Sequence, residues 1–225
     1  MHRVIVPDNL KHGITAFFSG KVPGSDLDQI ATIAGISKTQ IYLPVQKHTD
    51  KVLILDAPLE RTIADAVVTG RKGILIGVQV ADCVPLLLHD KKKHVMGVVH
   101  AGWRGTALSI LKKTLDVMKR RFLCEPRDII MAIGPSIRGC CYAVGPEVSE
   151  AVTHASGKGS YSRMKDGKHC IDLALANRQQ ALCAAISASN IWICEECTFC
   201  NPDRYFSYRY AKGAAGRQAA FIGML

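Results

Sequence analysis

Apolar residues come along this chain in short runs, each ended by a polar or glycine-rich loop. Residues 14–18 predict a first strand, which enters the loop Ser19, Gly20, Lys21, Val22, Pro23, Gly24. Residues 27–35 carry Leu, Ile, Ile and Ala at near-helical spacing, and 41–45 and 52–55 predict two short strands joined by a connector that holds His48. The run GILIGVQV at 73–80 is continuously apolar, so it predicts a strand buried on both faces, ending at Ala81, Asp82, Cys83. A strand at 86–88, a turn at 91–94 and a buried strand at 95–99 follow, and the last of these delivers His100.

Beyond it, 106–121 places Leu108, Leu111, Leu115 and Met118 opposite Lys112, Lys113 and Lys119, the 3.6-residue spacing of one amphipathic helix. A strand at 129–133 opens into Gly134, Pro135, Ser136. Apolar content then falls across Gly157 to Gly167, which predicts a surface excursion. Asp172 caps a helix bearing Leu173, Leu175, Ala176, Leu182 and Ile186; 191–194 predicts a strand, and 221–225 a terminal strand or tail. No repeat or low-complexity stretch interrupts this order. Buried strand, polar loop, then helix argues for mixed sheets covered by helices, and the first strand lacks the GxGxxG of a dinucleotide-binding unit.

The 225 residues, 48% hydrophobic and 21% charged, predict one compact domain over 1–225. No apolar run is long enough to span a bilayer, and the opening MHRVIVPDNLKHG is too broken for a secretory signal, so the cytoplasm is the expected compartment and no membrane partner is expected. Nine cysteines, an odd number, read there as mostly reduced thiols. The formal charge of +10 favours anionic partners, but the basic residues fall in short scattered groups without the interleaved aromatics of a nucleic-acid module.

Three constellations carry candidate chemistry. His48, Cys83 and His100 sit at the ends of separate strands. That placement suits a catalytic metal with an open fourth position, and it equally suits a surface histidine, a small core cysteine and a satisfied core histidine. HAGWRG at 100–105 sets Arg104 at the start of a helix, either as a fork for phosphate or carboxylate or as a helix cap beside a core Trp103. Cys194, Cys197 and Cys200 have the spacing of zinc knuckles without a fourth ligand nearby, so free thiols are the expectation; Cys140 and Cys141 read as buried or lining.

These motifs, taken in order, resemble the bacterial YfiH/YlmD-like family, long labelled laccase-like multicopper polyphenol oxidases and now associated with purine nucleoside phosphorylase and adenosine deaminase activities. The resemblance rests on Gln46 to His48, Ala64 to Ala66 with Thr69, ADCVP at 81–85, HAGWRGT at 100–106, GPSIRGCCYAVG at 134–145, DLALANRQQ at 172–180 and CTFCNPDRYFSYRYAKGAAGRQAAFI at 197–222. It implies an α+β fold, an α/β/β/α sandwich of two intertwined subdomains. It also implies a zinc ion on His48, Cys83 and His100, and phosphorolysis of adenosine, inosine, guanosine or methylthioadenosine alongside deamination of adenosine. Two positions depart from the family: Lys21 stands where an arginine is usual, and Ala143 where a glutamate is usual after CCY. Lysine keeps the charge but loses the bidentate fork.

Phosphorolysis needs an anion held below the anomeric carbon, and Lys21, Arg104 and Arg138 are the candidates to hold it. Asp82, next to Cys83, is the preferred polar partner, with a turn-forming or ligand-orienting role as the alternative; Cys83 itself is either a ligand or a covalent nucleophile paired with His100. Copper-dependent phenol oxidation and plain nucleotide binding are the rival functions. Only eight histidines occur in the chain, few for a full multicopper set, although copper can displace zinc at a His2Cys site. Monomer and homodimer are both compatible with the sequence.

Overall fold

The computed structural model describes residues 4–10, 13–56 and 60–225, so Met1 to Arg3, Lys11 and His12 of the opening segment lie outside it. In chain order the elements are β1 (Val4–Ile5), β2 (Thr15–Ser19), α1 (Leu27–Ala34), β3 (Ile41–Tyr42), β4 (Val52–Ile54), β5 (Ala66–Thr69), β6 (Leu75–Val80), β7 (Val84–Asp90), β8 (Val95–Ala101), α2 (Trp103–Ala107) and α3 (Ile110–Phe122). Then come β9 (Ile129–Ile133), β10 (Ala143–Val144), α4 (Pro146–Ser156), β11 (Ser162–Lys165), β12 (Lys168–Ile171), α5 (Leu173–Cys183), β13 (Ile191–Ile193) and β14 (Gln218–Gly223).

Two large sheets draw their strands from interleaved blocks of the chain. One has the order β1-β2-β14-β6-β3, the other β13-β9-β7-β8-β5-β4, and β10-β12-β11 form a small third sheet. Phe18, Ile76, Val78 and Ile222 from the first sheet pack against Val67, Leu87, Met96 and Val98 from the second, which makes the central core. The other face of the second sheet, with Leu86, Leu88, Val99 and Ile133, is covered by Leu111, Leu115 and Met118 of α3, Val152 of α4 and Leu173 of α5. The outer face of the first, Phe17, Leu75 and Phe221, is covered by Ile30 and Ala31 of α1. The layers are therefore α/β/β/α, as the family resemblance implies. Burial on both faces explains why β6, β7 and β8 read as continuous apolar runs.

Local details depart from the sequence expectation where distant side chains intervene. The single helix expected over 106–121 is two helices, with Ser109 between them at φ 56. Gln180 Nε2 donates to the Thr106 carbonyl at 2.9 Å and Asn177 Nδ2 to Thr106 Oγ1 at 2.9 Å, so α5 anchors the end of α2 and leaves Leu108 outward. The surface excursion expected over 157–167 follows α4 and contains β11, exposed over Arg163 to Lys165 and paired with β12. The terminal segment is not a tail: β14 sits between β2 and β6 in the middle of its sheet. Asp172 does cap its helix, accepting from the Leu175 amide at 3.1 Å.

Candidate active site

One connector and the ends of two buried strands converge. His48 lies on the connector before β4, Cys83 closes the tight turn between β6 and β7, and His100 is the penultimate residue of β8. Their ligand atoms all lie within 4.8 Å of one another, with Cys83 Sγ 3.9 Å from His48 Nε2 and the two imidazole rings 4.8 Å apart, edge to face. The cluster can coordinate a metal ion.

Asp65, fully buried just before β5, organises it. Its carboxylate accepts from the amides of Lys47, His48 and Thr49, from the Thr49 hydroxyl and from His100 Nδ1 at 2.8 Å. One side chain thus shapes the His48 loop, where His48 has a left-handed φ of 57, and turns His100 Nε2 toward Cys83. Gln46 grips the backbone of Gln79 from both sides, donating to its carbonyl and accepting from its amide at 2.8 Å, which ties the same loop to β6. Gly102 is required by close approach: a Cβ there would stand 2.9 Å from Cys83 Sγ and 3.4 Å from His48 Cδ2.

The charges reinforce one another. Burial alone pushes the Cys83 thiol up, but the His100 and His48 rings outweigh it and bring it down to about 6. For His100, burial acts downward and is overcome by Cys83 and Asp65, which hold it up at about 9. Asp65 is opposed by burial as well, yet His100 and Thr49 keep it well below the usual carboxylate range.

The cluster opens on a cavity of about 710 Å³ lined by Asp82, Trp103, Tyr142, Tyr208 and four arginines, Arg61, Arg104, Arg209 and Arg217. Arg104 lies over the Trp103 ring at 4.4 Å, and Arg209 over Tyr142 at 5.1 Å. Asp82 adopts a left-handed φ of 83, and both its carboxylate oxygens are engaged, by the Thr198 hydroxyl at 2.6 Å and the Arg209 amide at 2.7 Å. Those are the contacts of an orienting, turn-forming carboxylate. Burial, with the Cys83 and Asp82 charges, pushes the Tyr142 phenol up to about 12.

Two of the cations expected at the phosphate do not line this cavity. Lys21 Nζ donates to the Pro202 carbonyl at 2.9 Å and lies over Phe206, beside a separate cleft. Arg138 is buried, paired with Asp172 at 2.8 Å and donating to the Cys194 carbonyl. Asp65, Arg61, Arg209 and Arg217 are site residues that the sequence patterns do not single out individually. The signal for three of them is present: Asp65 lies in the Ala64–Ala66 motif, Arg209 in SYR and Arg217 in GRQ, all within stretches that carry the resemblance.

Known proteins match this arrangement over most of its length. The family model described as multi-copper polyphenol oxidoreductase laccase covers residues 25–225. A purine nucleoside phosphorylase of Clostridium acetobutylicum is 39% identical over 181 residues, 79% of this chain and 74% of that protein. The adenosine deaminase RL5, from an unknown prokaryotic organism, is 36% identical over 85% of this chain and 79% of its own. The crystal structure of YlmD from Geobacillus stearothermophilus superposes with a TM-score of 0.87 at 27% identity, covering 94% of this chain and 92% of that one. With a family model matched across residues 25–225 and this fold shared with a solved member, the chain belongs to the YfiH/YlmD family of laccase-like proteins.

Proposed function

We propose that this protein is a zinc-dependent purine nucleoside phosphorylase that also deaminates adenosine, working as a soluble cytoplasmic enzyme whose nine cysteines stay reduced and form no disulfide. The observation that carries this reading is the joint geometry of the His48, Cys83 and His100 cluster with four arginines around one cavity. The relatives' activities point the same way.

The donor set fits zinc. Two imidazole nitrogens and one thiolate are the ligands of a catalytic zinc, the Asp65 to His100 bond is the usual outer-shell support, and Gly102 leaves the space a side chain would fill. Bound there, zinc supplies Lewis acidity to the cavity. The remaining work falls to the chain. Arg104, with Arg61, Arg209 and Arg217 lining the same cavity, holds inorganic phosphate; Trp103, Tyr142 and Tyr208 offer aromatic faces for the purine. Asp82 acts as a positioning residue, fixing the Cys83 turn and the Arg209 backbone. In the reaction the bond from C1′ of the ribose to N9 breaks, a phosphate oxygen bonds to C1′, and a proton joins the departing base. Cavity volume suits a nucleoside and phosphate together.

The family description favours a second reading, copper-dependent phenol oxidation. Among the described residues the cavity cluster supplies two histidines and one cysteine, enough for one ion and short of a multicopper set. The test is to incubate zinc-loaded protein with adenosine, inosine, guanosine and methylthioadenosine, with and without phosphate, and to identify base and sugar products. Phosphate-dependent release of base with ribose 1-phosphate supports the proposal; oxygen uptake with phenols, only when copper is present, supports the rival.

A further inference from the structure

A second cluster lies outside the active-site cavity. Cys140 and Cys141, on the loop after β9, meet Cys197 and Cys200, on the loop after β13, and all four sulfurs lie within 4.8 Å of one another. Cys197 and Cys200 supply two ligands, and the other two, Cys140 and Cys141, come from about sixty residues earlier. Cys194 is not part of the group.

We propose that these four cysteines bind a structural zinc ion, closed by four thiolates, that clips the two loops together. Four sulfurs around zinc at about 2.3 Å stand about 3.8 Å apart. Cys140 Sγ and Cys200 Sγ are 3.8 Å apart and Cys141 Sγ and Cys200 Sγ 3.3 Å, well beyond the roughly 2.05 Å of a disulfide. The backbone holds the ligands in place without the metal's help. Ser136 and Cys197 pair as a parallel bridge, Thr198 N donates to the Ser136 carbonyl at 3.0 Å, and Asn201 Nδ2 donates to the Cys197 carbonyl at 2.9 Å. The Arg138 amide points at Cys197 Sγ at 3.4 Å, as amides do toward metal-bound thiolates.

The clip bears on the active site through its neighbours in sequence. Tyr142, after Cys141, lines the catalytic cavity, and Thr198, after Cys197, holds Asp82 beside Cys83. The zinc site stands on its own donors and is independent of the proposed reaction.

The experiment measures metal content by mass spectrometry on the full chain purified under reducing conditions. Wild type should carry about two zinc ions, and Cys83→Ser and Cys200→Ser about one each. Cobalt-loaded Cys83→Ser should show the intense ultraviolet thiolate-to-cobalt bands of a four-sulfur site, and these should vanish on adding Cys200→Ser. Cys140→Ser, at an exposed position, repeats the test if Cys200→Ser fails to fold. Equal zinc in wild type and both cluster variants, a folded Cys83→Ser protein without those bands, iron in place of zinc, or a Cys141–Cys200 disulfide in the reduced preparation would overturn the proposal.

Discussion

His100 Nδ1 lies 2.8 Å from Asp65 Oδ1, and the same carboxylate receives three consecutive backbone amides of the His48 loop. Two ligands from opposite ends of a seventeen- and a thirty-five-residue separation are thereby set by one buried acid. Asp65→Asn keeps the size but removes the charge and one acceptor. Zinc affinity should fall about 10- to 100-fold. Chelator competition measures it, with circular dichroism to show that the fold is kept; unchanged affinity would mean the bond orients nothing.

Gly102→Ala tests the close approach on the other side of the cluster. The added methyl would stand 2.9 Å from Cys83 Sγ, closer than a side chain tolerates, so the sulfur or the β8–α2 turn has to move. Zinc retention should drop sharply, and the melting temperature should fall as well, because Ala101 on one side of the glycine belongs to the core under α3 and Trp103 on the other packs against it. Wild-type zinc content in this variant would contradict the geometry.

In zinc-free protein the Cys83 thiol, lowered to about 6 by its histidines, should be mainly thiolate at pH 7.5. A lowered thiol pKa places the charged form above it, so alkylation of Cys83 should already be near its plateau there and should fall as pH drops through about 6. Peptide-resolved iodoacetamide rates check this, and zinc should protect the residue. A rate that climbs only near pH 9, the ordinary thiol value, would show that the histidines do not hold the thiolate.

The arginines divide by location. Arg104→Ala and Arg209→Ala should each raise the KM for phosphate and cut phosphorolysis roughly 10- to 150-fold, corresponding to about 1.5–3 kcal/mol for a charge-assisted hydrogen bond, with smaller losses in adenosine deamination. Arg138→Ala should act on stability instead, because it leaves the Asp172 carboxylate without its 2.8 Å partner in a buried setting. The cost is about 3–5 kcal/mol, read as a lower melting temperature. Equal effects of Arg104→Ala on both reactions would point to shared substrate orientation rather than phosphate binding.

Sequence patterning carries the sandwich well, because strands buried on both faces and capped helices leave strong local signatures: GILIGVQV became β6, and Asp172 caps α5. It fails where a distant side chain decides. Nothing local to Leu108 or Ser109 announces the break between α2 and α3, which depends on Gln180 and Asn177. The same holds at the site. His48 on a connector between predicted strands, and Cys83 and His100 just past or at the ends of predicted strands, could be named from the sequence, whereas a loop-borne lysine such as Lys21 looks like a phosphate ligand until the fold turns it to Pro202. Cys140 and Cys141 become partners of Cys197 and Cys200 only through the pairing of Ser136 with Cys197.

The central claim is that nucleoside phosphorolysis depends on a metal held by His48, Cys83 and His100. The most direct measurement follows inosine and phosphate conversion to hypoxanthine and ribose 1-phosphate in wild type and Cys83→Ser, with bound zinc measured on the same samples. Serine's hydroxyl stays protonated and binds zinc poorly. Wild type should form base and sugar phosphate in equal amounts, lose turnover on chelation and regain it with zinc, and Cys83→Ser should lose about one zinc and nearly all turnover while remaining folded. Full turnover in folded, zinc-depleted Cys83→Ser protein, or no base release from zinc-loaded wild type with any purine nucleoside, would contradict the account.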